Sequence, residues 1–261
     1  MEVEKELCWK RDDGNCVFGG APVALSGKEI GLMLRLRLLK NLKLGKMVLS
    51  VGCGTGAELR VLKKRGFITV GLDPERRFLL VGKTKNDVDN FIQAIGEGIP
   101  LRDDSFDLVV LFEVLEHVMK PEVVLKEISR VLKTNGILFL TVPNRFYPVE
   151  THGIQICQKQ ISNLMGIGIP FFSLAPNFLR RRLERARIYS DAQVVSLLRK
   201  NCFEPFIIEY LIPSLDRMQQ TSLTRAIRQV LRSSSKIPLV KKLGPNIMVI
   251  SKKRRYLSHS H

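Results

Sequence analysis

The segment VLSVGCGTG, Val48 to Gly56, constrains this chain more than any other. An apolar run, Val48 to Val51, leads straight into Gly52, Cys53, Gly54 and Gly56, and AELRVLKKR follows at helical spacing. A strand that meets three glycines and then a helix can turn sharply. It also leaves the amides of the helix start uncovered by Cβ atoms, where an anionic or polar ligand can approach. Gly52, Gly54 and Ala57 satisfy the dinucleotide pattern G-x-G-x-x-A as well, so the loop by itself leaves the ligand open. Asp73 ends the next apolar run, in GLDPE, 21 positions after Gly52. An acid at that strand end of an open α/β sheet is placed to accept hydrogen bonds from both hydroxyls of a ribose. The same carboxylate can cap the helix expected from Pro74, and the two roles are compatible.

Strand and helix periods alternate around these two motifs. Strand MVLSVG, helix AELRVLKKR closed by Gly66, strand FITVGLD and a helix from Pro74 come first. Strands around FIQAI and FDLVVLF, helix PEVVLKEISRVLK closed by Asn135-Gly136, and strand ILFLTV follow. That order specifies βαβ crossovers and a parallel sheet. Pro74 and Pro121 both suit a first helical turn. Upstream, Ser26 and Glu29 have capping-box spacing, which opens a helix expected to run to Gly45 and to bury Leu32, Leu36 and Leu39. After Pro143 the regularity stops until a second capping box, Ser190 with Gln193. Strand PFIIEYLI, helix DRMQQTSLTRAIRQVLR and strand NIMVIS then close the chain. The stretch 144–189 is too long for a plain connection and is expected to form a substrate lid. The organisation that follows is a loose N-terminal arm (1–25), a cofactor-binding core (26–143), the lid insertion (144–189), and a C-terminal part of the core with a basic tail (190–261).

Four ordered stretches, VLSVGCGTG, the acid of GLDPE, GEGIPLRDDSFDLVVLFEVLEHV and LKEISRVLKTNGILFLTVPN, resemble the class I S-adenosylmethionine-dependent methyltransferases. The resemblance runs from about Gly45 to Asn144 and is to the small-molecule branch that includes the quinone-pathway O- and C-methyltransferases. It implies a doubly wound, Rossmann-like α/β sheet of seven strands, with the last strand antiparallel beside the fifth and the lid inserted after the fifth. It implies S-adenosyl-L-methionine as cofactor, bound across Gly52, Cys53, Gly54, Gly56 and Asp73. Glu97 is then expected to accept from the adenine amino group, with Gly98 and Ile99 packing on the ring, where relatives often carry Asp-Ala in place of Glu97-Gly98. Phe112 and Glu113 are expected against the methionine portion and the methyl-transfer centre.

A neutral hydroxyl or amine acceptor needs a base, and His117 and His152 are the candidates. His152 is preferred because it begins the insertion, where a lid meets substrate. Glu113, Glu116 and His117 share a helical face by i, i+3, i+4 spacing, and a quinone-pathway branch holds a divalent cation there. The preferred reading is a polar helix start near the cofactor, with no metal.

Composition bears on partners. The apolar share of 45% and charged share of 26% are ordinary for a globular domain. The 42 basic and 25 acidic residues are not ordinary, and from Asn177 onward the count is 18 against 5. Arg180, Arg181, Arg182, Arg185 and Arg187 follow the apolar piece LMGIGIPFFSLAPNFL, a pairing that suits an anionic membrane surface, nucleic-acid phosphates, or a solvated face over a packed segment. Neither the Asn-Pro-Pro-Tyr type of motif used on base amino groups nor a Pro-Cys nucleophile stands after FDLVVLF. The expected acceptor is therefore small and apolar, quinone-like or lipid-like. An RNA or other nucleic-acid methyltransferase is the alternative, and a cofactor-binding scaffold without catalysis is a third reading. Five scattered cysteines, no signal-peptide pattern and an apolar stretch too short for the roughly 20 residues of a spanning helix point to a cytoplasmic protein, and the apolar piece with its arginines would allow peripheral contact with the inner membrane surface.

Overall fold

Helix α1 (Ile30–Arg37) leads into the alternating core, in which strands β1 (Met47–Val51), β2 (Ile68–Asp73), β3 (Asn90–Gln93), β4 (Phe106–Phe112) and β5 (Leu132–Pro143) surround helices α2 (Ala57–Lys63), α3 (Arg76–Lys83) and α4 (Pro121–Val131). Helix α5 (Asp191–Lys200) and strands β6 (Phe203–Tyr210) and β7 (Asn246–Lys253) complete the core. The computed structural model describes residues 7–10, 16–19, 30–84, 88–150, 154–156, 159–161, 169–170, 173, 186–211, 229, 233 and 237–254. One seven-stranded sheet has the order β3-β2-β1-β4-β5-β7-β6. Its first five strands are parallel, and β7 lies antiparallel between β5 and β6. This is the doubly wound α/β architecture expected from the sequence, with NIMVIS antiparallel beside the fifth strand.

The central strands are apolar on both faces because helices cover both. Leu49, Val51, Val109 and Leu111 point into a layer filled by Val124, Leu125 and Ile128 of α4 and Val194 and Leu198 of α5. Val48, Leu108 and Val110 point the other way, onto Leu59 and Leu62 of α2 and Leu32 and Leu36 of α1. Ser190 and Gln193 form the full capping box of α5.

Several boundaries differ from the sequence reading. The first helix tightens into a 3-10 turn at Leu38–Asn41 and stops there, short of Gly45. Gly45 serves close packing instead: a Cβ there would lie 2.2 Å from Asp107 Cγ at the start of β4. Glu75, not Pro74, caps α3, its side chain accepting from the Arg77 amide, so Pro74 precedes the first turn. Asn135-Gly136 does not close α4, because Leu132 is already extended and begins β5. Asn135, at φ 65, sits where the register slips between the Phe106–Leu132 and Leu108–Ile137 pairs, so the two residues shape a bulge. The N-terminal arm is not wholly loose, since Leu7–Lys10 pairs antiparallel with Cys16–Gly19. The Ser26–Glu29 box lies outside the described residues, as does all but Gln229 of the helix expected from Asp216.

The two ends of the insertion meet. Asn144 and Tyr189 form a parallel bridge, the Arg145 amide donates to the Tyr189 carbonyl, and the Tyr189 amide donates to the Pro143 carbonyl. No helix among the described residues is long and apolar enough to cross a membrane.

Candidate active site

In an open α/β sheet, ligands bind at the carboxyl ends of the strands where the winding direction reverses. Here the reversal lies between β1 and β4, so the loops after Val51 and Phe112 face each other. Gly52, Gly54 and Gly56 have φ of 70°, 52° and 73°, a left-handed region that favours glycine. At Gly52 a Cβ would in addition lie 2.4 Å from Val114 Cγ2, so this glycine also lets the β4 loop approach.

The loop is bound to the end of β2. The amides of Gly52 and Cys53 both donate to the Leu72 carbonyl, at 2.7 and 3.0 Å. The Gly54 amide donates to Asp73 Oδ2 at 2.8 Å, and the Glu75 amide donates to Asp73 Oδ1 at 2.9 Å. Asp73 thus joins the glycine loop to the turn leading into α3. Burial pushes its pKa above the ordinary value, and the two amide bonds oppose that rise. Each oxygen keeps acceptor capacity beyond its one amide. From below, the Phe91 ring of β3 packs into a slot floored by Gly56, Gly71 and Gly82, where added Cβ atoms would come within 2.6–2.9 Å of the ring. Cys53 is buried, and burial followed by the charges of Glu58 and Asp73 pushes its thiol well up, so it is a neutral packing group.

Glu97 is half-buried in the turn between β3 and β4, with Gly98 exposed beside it. Ile99, expected on the adenine ring, packs instead in the core; its amide donates to Glu127 Oε2 and its carbonyl accepts from Arg130 Nη2. The apolar side chain that this turn leaves uncovered is Ile95, 54% exposed.

Glu113 is the polar centre of the β4 end. Its Oε1 accepts from Thr141 Oγ1 at 2.6 Å and Arg35 Nη2 at 3.2 Å, and its Oε2 accepts from Asn246 Nδ2 at 2.7 Å. Strands β5 and β7 and helix α1 therefore converge on one carboxylate. Glu113 itself takes φ 55°, which turns the chain away from the strand direction. Phe112 packs edge-on against Phe139, and the Arg35 guanidinium lies 5.4 Å from the Phe112 ring centre.

The segment after Glu113 is a turn and not a helix, so Glu113, Glu116 and His117 do not share a helical face. Glu116 is fully buried, whereas His117 keeps partial exposure with Nε2 3.8 Å from Glu116 Oε1. Burial, and then the charge of Glu113, push the Glu116 carboxyl well above its ordinary range. The returning end of the insertion sits on this turn: Arg187 donates from its amide to the Glu116 carbonyl and from its side chain to the carbonyls of Val118 and Met119. His152, Arg180, Arg181, Arg182 and Arg185 lie outside the described residues. Arg35, Thr141 and Asn246 escaped the sequence reading because their only signal is convergence on Glu113 across three elements distant in sequence.

Residues 49–140 match the family model described as a methyltransferase domain. The chain is 31% identical over 133 residues to the ubiquinone biosynthesis O-methyltransferase of Glaesserella parasuis, covering 45% of this chain and 56% of that protein. It is 30% identical over 146 residues to a ubiquinone/menaquinone biosynthesis C-methyltransferase of Campylobacter jejuni, covering 53% and 60%. The chain thus spans a little over half the length of these relatives. An S-adenosylmethionine dependent methyltransferase from Mesorhizobium loti has the same fold at 16% identity, with a TM-score of 0.60 over 87% of this chain and 100% of that one. Residues 49–140 therefore match a methyltransferase domain, and the seven-stranded sheet that holds them has the fold of the Mesorhizobium loti protein.

Proposed function

We propose that the chain is an S-adenosylmethionine-dependent methyltransferase whose acceptor is small and apolar, quinone-like or lipid-like. The observation that carries the reading is the left-handed glycine loop locked by Asp73 at the reversal point of the sheet. When bound, the cofactor supplies a methyl group on a sulfonium, itself a strong leaving group. The chain's task is to hold and orient. The remaining acceptor capacity of Asp73 serves the ribose hydroxyls, and the glycine loop lets the ligand reach the backbone. Glu97 and Gly98 serve the adenine edge, and Phe112 and Glu113 line the methionine end. Residues 144–189 act as the lid, a reading supported by Arg187 near their returning end, which is bound to the turn after Glu113. A lid there excludes water and holds the acceptor in line. His117, partly exposed on that turn, and His152 at the insertion's entry are the groups offered as base.

The quinone-biosynthesis names of the two relatives support the acceptor class, and the basic C-terminal third suits delivery of such an acceptor from an anionic membrane surface. The test is incubation of the protein with methyl-labelled S-adenosylmethionine and fractionated cell extract. Label is expected in organic-soluble material; label confined to RNA or protein would overturn the acceptor class.

A further inference from the structure

Arg35 belongs to α1, outside the residues that match the methyltransferase domain, yet it reaches the centre of the site. Its Nη2 lies 3.2 Å from Glu113 Oε1, and the two side chains keep 18% and 27% exposure. Two other carboxyls feel the same guanidinium, Glu58 and Glu116, and burial pushes both above their ordinary range. Glu113 differs from them in being partly exposed, with Thr141 and Asn246 holding its two oxygens in place. It is the carboxylate presented where β4 ends beside the Gly52 loop, since Val114, the next residue, touches Gly52.

A fixed carboxylate beside a sulfonium has a cost for methyl transfer. It stabilises the cationic cofactor more than the transition state, in which the charge on sulfur is already dispersing, so it deepens the ground state and not the barrier crossing. An arginine paired with that carboxylate cancels the net charge and leaves the hydrogen-bonded geometry in place. We propose that Arg35 is a positioning residue that neutralises Glu113 at the methyl-transfer side, and thereby sets how strongly the site favours the sulfonium form of the cofactor over its thioether product. This rests on the reading of the site as an S-adenosylmethionine site.

The test compares dissociation constants for S-adenosylmethionine and S-adenosylhomocysteine, which differ by the methyl group and the sulfonium charge. Calorimetry is run on the intact chain, on Arg35→Met, Arg35→Lys and Glu113→Gln, and on the double variant Arg35→Met with Glu113→Gln. In Arg35→Met the preference for the sulfonium should rise about fivefold or more, the size of one uncancelled charge acting through partly exposed protein. Arg35→Lys should stay within about twofold of the parent, because its charge is kept. Glu113→Gln should shift the preference in the opposite direction, and the double variant should return it towards the parent value. A merely structural Arg35 would weaken both ligands equally, and that result overturns the proposal. If Arg35→Met does not fold, Glu113→Gln decides alone, and an unchanged preference there overturns it. A parent protein that binds neither ligand overturns the cofactor reading itself, an outcome distinct from equal weakening.

Discussion

Replacing Asp73 by Ala should weaken the protein before any ligand is added. The carboxylate accepts from two amides, Gly54 at 2.8 Å and Glu75 at 2.9 Å, and is only 7% exposed. A hydrogen bond to a charged acceptor contributes about 1.5–3 kcal/mol, and the shortened side chain would leave both donors without their acceptor. Removing a charge whose pKa burial has raised returns part of this. The net loss in unfolding free energy should then be about 2–4 kcal/mol, read as a lower urea midpoint at unchanged slope. Asp73→Asn keeps one acceptor oxygen and sets an NH2 group against the other amide, so it should fall between parent and Ala. The same denaturation repeated with saturating S-adenosylhomocysteine measures the ligand separately, since the ligand's stabilisation grows with its affinity. In Asp73→Ala that stabilisation should shrink by at least about 1.4 kcal/mol, equivalent to tenfold in affinity. An unliganded midpoint equal to the parent's would refute the account of Asp73 as the tie between the glycine loop and α3.

Gly82→Ala should cost about 1–3 kcal/mol by chemical denaturation, because the new methyl meets Phe91 Cζ at 2.6 Å and the Thr55 carbonyl oxygen at 2.9 Å, with backbone on one side. A neutral result would mean that the Phe91 slot yields easily. Stability should also fall as pH rises. The folded-state pKa of Glu116 lies above its ordinary 4.5, so the stabilisation from its neutral form is complete below that value and is lost as pH climbs through the raised folded value, and Glu58 acts in the same direction. Glu116→Gln should flatten the slope of unfolding free energy against pH and raise stability at neutral pH; a slope identical to the parent's would refute this.

The parallel core was legible because its signals are local. Strand, glycine turn and helix follow one another within a few residues at Val48–Ala57, and the antiparallel seventh strand came with the family resemblance. Boundaries were misread where tertiary contact outweighs a local stop signal. Gly45 and Asn135-Gly136 look like helix terminators in sequence, yet the first is there to pass Asp107 and the second to form a bulge. The glycine turn after Val51 and the strand end at Asp73 were legible for the same local reason. The Glu113 cluster was visible only as one member, since Arg35, Thr141 and Asn246 are joined to it across 78, 28 and 133 positions. The supposed helical face of Glu113, Glu116 and His117 failed because spacing argues for a face only if the backbone is helical, and Glu113 lies at positive φ.

The closed stem of the insertion has a consequence for how such a protein can change. Pro143, Asn144 and Tyr189 are fastened to one another, and the Asn144 side chain is fastened again to the carbonyls of Lys242 and Gly244, so the core presents a socket of fixed width. Whatever sequence is strung between the two ends, closing it adds only about 0.6 kcal/mol for each doubling of length. The stem's own bonds therefore do not depend on the length of the chain strung between them, although Arg187 ties the returning end to the turn after Glu113. On the proposed function, acceptor preference can then change through the insertion while the stem, the glycine loop and Asp73 stay as they are.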